Sequence, residues 1–274
     1  MHFIDYKVNF RNSIRKFLFF LNVYSIDIAL AGVSGFITVN KVFGLPQNLA
    51  LIVLLFLGIF LIYWLDHLLD IRKYGNHLSS RHFLISKKQT LLYKIGFVFI
   101  LISGMIAFFY LSIKALLLGL LLLVLSLLYL ALNATRYVPK EIFAASVYTV
   151  GIYFQVILNP GLYEFLVIGY FFGLTLYAMY GIAWIEKATD KRYGVPNGVT
   201  TNKISQTMFL LLFVTGIVSV IITSAEIYNQ LIVSYLFVLV VLKSIFALCK
   251  MQRYQCNWYR IAIEWSFLIP WLWI

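Results

Sequence analysis

The stretch Trp64-Leu65-Asp66-His67-Leu68-Leu69-Asp70-Ile71-Arg72 closes an apolar run that begins near Asn48. The same phrase closes another run 120 residues later, as Trp184-Ile185-Glu186-Lys187-Ala188-Thr189-Asp190-Lys191-Arg192. Trp, Asp and Arg recur identically at matched positions, and the Leu/Ile and Asp/Glu exchanges are conservative. On a helix, acids at i and i+4 share one face, a single turn apart. Like charges at that spacing repel unless a cation or a proton lies between them. The chain has 10 acidic residues, and four of them stand in this arrangement. The pattern points to Asp66, Asp70, Glu186 and Asp190 as a divalent-metal site built from two helix ends.

The apolar runs set the fold class. Of 274 residues, 62% are hydrophobic and 12% charged, and the mean hydropathy is +0.91, which excludes a soluble globular domain. The runs are continuous, rich in Leu, Ile, Val and Phe, and about 20 residues long, so the spans are helical rather than strands of a barrel. The expected fold is all-α, a single polytopic membrane domain over residues 1–274. Its runs fall near 17–39, 48–70, 91–111, 115–133, 142–158, 163–190, 206–224 and 231–248, with a short final run to Ile274. That makes a bundle of nine transmembrane helices, with the first run retained as a helix rather than cleaved as a signal peptide.

Charge placement orients the bundle. On alternate connections, the N-terminal segment and the 2–3, 4–5, 6–7 and 8–9 connections hold eighteen Lys and Arg, against two (Lys41 and Lys114) on the opposite set. By the positive-inside rule the N terminus and both acid pairs are cytoplasmic. The same placement accounts for the net charge of +12 through membrane topology, so no nucleic-acid partner is expected. Cys249 and Cys256 form neither a zinc pattern nor a disulfide framework. Four histidines are too few for the histidine boxes of a membrane di-iron enzyme.

Acid pairs flanked by basic loops suit a polyanionic ligand. Carboxylates alone repel a diphosphate, whereas carboxylates holding Mg²⁺ bind it, because Mg²⁺ uses one or two carboxylates, waters and substrate phosphates. Arg72, Lys73, Arg81, Arg136, Lys140, Lys191 and Arg192 are the cations available for the remaining phosphate oxygens. Tyr63 lies three residues before Asp66 on the same helix face, with its hydroxyl placed to donate to a phosphate oxygen.

Taken together, Asp66-x3-Asp70, Glu186-x3-Asp190-x3-Gly194 and the nine runs resemble the UbiA superfamily of intramembrane prenyltransferases. Arg136-Tyr137-Val138-Pro139-Lys140-Glu141 is similar to the basic Tyr/Lys segment those enzymes use near the diphosphate, one residue shorter. The resemblance implies Mg²⁺-dependent transfer of a prenyl group from a prenyl diphosphate to an aromatic or lipid acceptor among membrane lipids. It implies catalytic and metal roles for Asp66, Asp70, Glu186 and Asp190. It also implies diphosphate contacts from Tyr137 and Lys140, and an acceptor-side role for Asp27 within the first run. The chain departs from the family at Ile62-Tyr63, where Asn-Asp would stand, and at Glu186, where Asp is usual. Three other readings of the same residues are a non-catalytic member, a transporter-like protein that binds a lipid diphosphate, and a terpene cyclase on the same scaffold. Beside all of these stands the reading of the acids as helix-end charges paired for structure.

Overall fold

A computed structural model describes residues 13–75, 80–132, 140–158, 162–193, 202–222, 226–251 and 259–270. All regular structure among them is helical. The elements are α1 (Ser13–Val23), α2 (Ile26–Val42), α3 (Leu49–Tyr74), α4 (Ser80–Ser86), α5 (Gln89–Tyr110) and α6 (Ile113–Leu132). After these come α7 (Lys140–Ile152), α8 (Phe154–Leu158), α9 (Leu162–Tyr193), α10 (Asn202–Ile222), α11 (Glu226–Met251) and α12 (Tyr259–Ser266).

Four stretches are long and apolar enough to cross a membrane: Leu49–Lys73, Gln89–Tyr110, Glu164–Lys187 and Asn229–Cys249. α1 and α2 would add a fifth if taken as one broken span. The stretches Ile113–Leu128, Glu141–Ile152 and Thr207–Val218 are apolar but shorter. The protein is therefore all-helical with several membrane-spanning candidates, and the described residues give four or five crossings by length and composition where the sequence suggested nine.

Two of the expected runs are not single helices. The first bends by 84° between α1 and α2. Its polar residues explain the break, because Asn, Ser and Asp side chains offer the backbone local alternatives to the helical ladder. Ser25 takes a left-handed conformation (φ 58°), its amide bonds the Asn22 carbonyl at 3.1 Å, and Asp27 Oδ1 accepts from the Ile28 amide at 3.0 Å. The fifth run is interrupted at Tyr153, between α7 and α8. There the Tyr153 hydroxyl is hydrogen-bonded to that of Tyr235 on α11 at 2.7 Å.

α3 is well bounded. Asn48 caps its start, its side-chain oxygen accepting from the amides of Ala50 and Leu51 at 3.0 and 3.3 Å. Gly75, at φ 84°, ends it in a conformation that residues with a Cβ seldom adopt. The helix therefore carries Tyr63, Asp66 and Asp70 in one rigid element. Trp64, the first residue of the repeated phrase, is buried against Gly96 of α5, where a Cβ would come within 2.4 Å of the indole. That tryptophan packs α3 on α5.

α9 packs on α7, α10 and α11, and α12 closes over α2 and α11. An aromatic core of Tyr148, Tyr153, Phe171, Tyr235 and Phe267 joins these helices, with Phe171 and Tyr235 5.2 Å apart between ring centroids. The surface is apolar as well as the core, and several polar side chains are buried. Phe97, Phe108, Ile113, Leu117 and Ile221 are exposed, whereas Asn22, Asp27, Asn40, Glu141 and Glu264 are buried. This is the distribution expected where lipid is the solvent and ionisable groups face the bundle interior.

Candidate functional site

The helices enclose a cavity of about 160 Å³. α3 contributes Ile59, Ile62, Tyr63 and Asp66, and α9 contributes Thr175, Ala178, Met179, Ile182, Ala183 and Glu186. Glu141, Ala144, Val147 and Tyr148 come from α7, Arg260, Ile263 and Glu264 from α12 and Phe267 from just beyond it, with Ile28 and Ala31 of α2 and Ser126 of α6 completing the wall. Alanines at positions 31, 144, 178 and 183 leave the space that larger side chains would fill.

The first acid of each repeat thus reaches the same cavity, together with Tyr63 on the helix face expected for it. Asp70 lies one turn beyond Asp66 on α3 and is not part of the cavity wall, while Arg72 and Lys73 are exposed at the end of the helix. The side chains of Arg81, Lys140, Asp190, Lys191 and Arg192, and the whole of Arg136 and Tyr137, lie outside the described residues.

Glu186, a metal ligand in the reading of the repeat, accepts hydrogen bonds from α12. Arg260 donates to it in a forked pair, Nε to Oε1 at 2.6 Å and Nη2 to Oε2 at 2.5 Å, and the Tyr259 hydroxyl donates to Oε1 as well. A planar guanidinium matched to both carboxylate oxygens is the strongest common ion-pair geometry. Burial, followed by the adjacent Glu186 carboxylate, pushes the Tyr259 hydroxyl above its ordinary pKa, so it remains a donor. At Arg260 burial acts against the charge, but Glu186 and then Tyr259 outweigh it and hold the guanidinium's pKa above its usual value.

Asp27 is buried next to the cavity. It is 2% exposed and accepts from Asn22 Nδ2 at 2.8 Å. The same Asn22 nitrogen donates to Glu264 Oε2 at 2.8 Å. Asp27 therefore sits behind the cavity wall, joined to it through Asn22 and Glu264.

The residues fit a Mg²⁺ ion in part. Among the described residues no group of three or more His, Cys, Asp and Glu side chains is placed to hold a metal. Mg²⁺ asks less of the protein, one or two carboxylates with substrate phosphates supplying further oxygens; Asp66 in the cavity wall, with Asp70 one turn beyond it, is the pair that would serve. Both oxygens of Glu186 accept from Arg260 in this arrangement.

Sequence reasoning missed Arg260, Glu141 and Glu264 as cavity residues. Arg260 counted only as loop charge and Glu141 only as the end of a basic segment. Glu264 alone carried a signal, being an acid inside an apolar run.

Comparison with known protein families, curated protein sequences and solved structures returns no match for this chain.

Proposed function

We propose that the protein is a membrane-embedded enzyme of the UbiA kind, which transfers a prenyl group from a prenyl diphosphate to an aromatic or lipid acceptor with Mg²⁺. The observation that carries this reading is the meeting of Asp66 and Glu186, distant in sequence, on one cavity whose other walls are largely apolar. In this reading the chain crosses the membrane nine times, with its N terminus and both acid pairs on the cytoplasmic side, as the eighteen-to-two distribution of Lys and Arg supports.

Asp66 and Asp70 hold the ion, with Asp190 as a further candidate. When bound, Mg²⁺ neutralises diphosphate oxygens and so makes the diphosphate a better leaving group. Tyr63 donates its hydroxyl to a phosphate oxygen from the same helix face. Arg72, Lys73, Arg81, Arg136, Tyr137, Lys140 and Lys191 form the pool of remaining diphosphate contacts. Arg260, positioned by Glu186, adds a fixed cation in the cavity wall. The apolar wall receives the hydrocarbon chain, and Tyr148 and Phe267, which line the cavity, supply aromatic rings near developing positive charge.

A second reading, binding of a lipid diphosphate without chemistry in a transporter-like protein, is favoured by two observations. Glu186 is committed to Arg260 and Tyr259, and the first run is broken beside a buried acid, a feature of transporter helices. One experiment separates the readings: purified protein is incubated with labelled prenyl diphosphates, with and without Mg²⁺, and both bound label and released diphosphate are measured. Mg²⁺-dependent release that Asp66→Asn abolishes supports the enzyme. Binding without release supports the second reading, and neither binding nor release refutes both.

A further inference from the structure

Glu141 opens α7 and is 3% exposed, and its carboxylate lines the cavity. Neither of its oxygens has a hydrogen-bond partner among the described residues. An unpaired buried carboxylate is costly, so such a group at a cavity wall marks a place where a ligand completes the structure. Tyr180 of α9 is within electrostatic reach of it but donates no hydrogen bond to it.

The surroundings select the ligand's charge. Four carboxylates line the cavity (Asp66, Glu141, Glu186 and Glu264), whereas Arg260 is the one lining cation among the described residues and it is joined to Glu186. The side chains of Tyr148 and Phe267 border the same space, and aromatic rings can attract cations. The remaining wall is mostly aliphatic, with Tyr63, Ser126 and Thr175 as its polar members, which suits a hydrocarbon tail better than a hydrated inorganic ion. We propose that Glu141 binds the primary ammonium group of an amphiphilic amine, with the alkyl tail lying along the apolar wall between α3, α7 and α9. The amine would use the same apolar wall as the prenyl chain, as an alternative occupant of the cavity, and its binding does not depend on Asp66 holding a metal.

The test uses the full chain in nanodiscs of zwitterionic choline lipids, with empty discs subtracted, titrated with dodecylamine and, separately, with dodecanol. Wild type is expected to bind the ammonium at least about tenfold more tightly than the alcohol, as befits a charge-assisted contact to a buried acid. Glu141→Gln, which keeps size and shape, is expected to remove that preference while leaving dodecanol binding and the thermal midpoint in place. Asp66→Asn is expected to keep the preference. Competition from discs containing phosphatidylethanolamine identifies a lipid headgroup as the source of the amine, and absence of competition identifies a free amine. Equal binding of amine and alcohol by wild type would overturn the proposal. So would an unchanged preference in Glu141→Gln, or displacement of dodecylamine by millimolar Mg²⁺ in wild type and Asp66→Asn alike.

Discussion

Removing Arg260 tests how α12 is held to α9. Glu186 receives three hydrogen bonds, two from Arg260 at 2.6 and 2.5 Å and one from Tyr259, and the two charged side chains are 29% and 23% exposed. Breaking a fully buried ion pair by deleting one partner costs about 3–5 kcal/mol. Partial exposure lets water reach the remaining carboxylate, so the figure must be discounted toward the surface value, giving about 2 kcal/mol for Arg260→Ala. Glu186→Gln should cost a similar amount, and the double variant should cost less than the sum, with a coupling of about 1–1.5 kcal/mol. Arg260→Lys keeps the charge but not the fork and should lose about half as much as Arg260→Ala, roughly 1 kcal/mol. Reversible unfolding in mixed micelles, followed by tryptophan fluorescence, reads all four variants. Additivity of the two single substitutions to within about 0.5 kcal/mol would show that the pair contributes nothing as a pair, and would refute the argument.

Three further outcomes are expected. Gly181 packs so closely on Phe246 that a Cβ would lie 1.8 Å from the ring, whereas Gly169 on the same helix has open space; Gly181→Ala should therefore destabilise by about 1–3 kcal/mol in the same unfolding assay and Gly169→Ala should not. The double change Ile62→Asn and Tyr63→Asp adds one acid and one amide beside Asp66, so Mg²⁺ binding measured by calorimetry should tighten; no change in affinity, with Tyr63→Phe also silent, would make Tyr63 a packing residue only. Asp27→Ala leaves the Asn22 amide with Glu264 alone and should lower stability by about 1–3 kcal/mol while Mg²⁺-dependent prenyl diphosphate binding persists; loss of that binding at full stability would place Asp27 in the site after all.

What could be read from the chain alone was what depends on neighbours in sequence. Helical membrane character followed from continuous apolar runs, because a bilayer requires every backbone group to be satisfied locally. Tyr63 and Asp66 shared a face because helical periodicity is a local property, and the cavity has both of them in its wall. The first run reads as one helix in sequence, and its 84° bend at Asn22, Ser25 and Asp27 depends also on what the two pieces pack against. Only the tertiary structure decided the partners of the acids. Glu186 meets Arg260 across 74 residues, and Asn22 meets Glu264 across 242. Glu141 gains its meaning from a cavity whose wall is shared among six helices. A charge pattern shows which residues can attract one another, but helix packing determines which of them come within reach, since screening and desolvation make an ion pair a contact of a few ångströms.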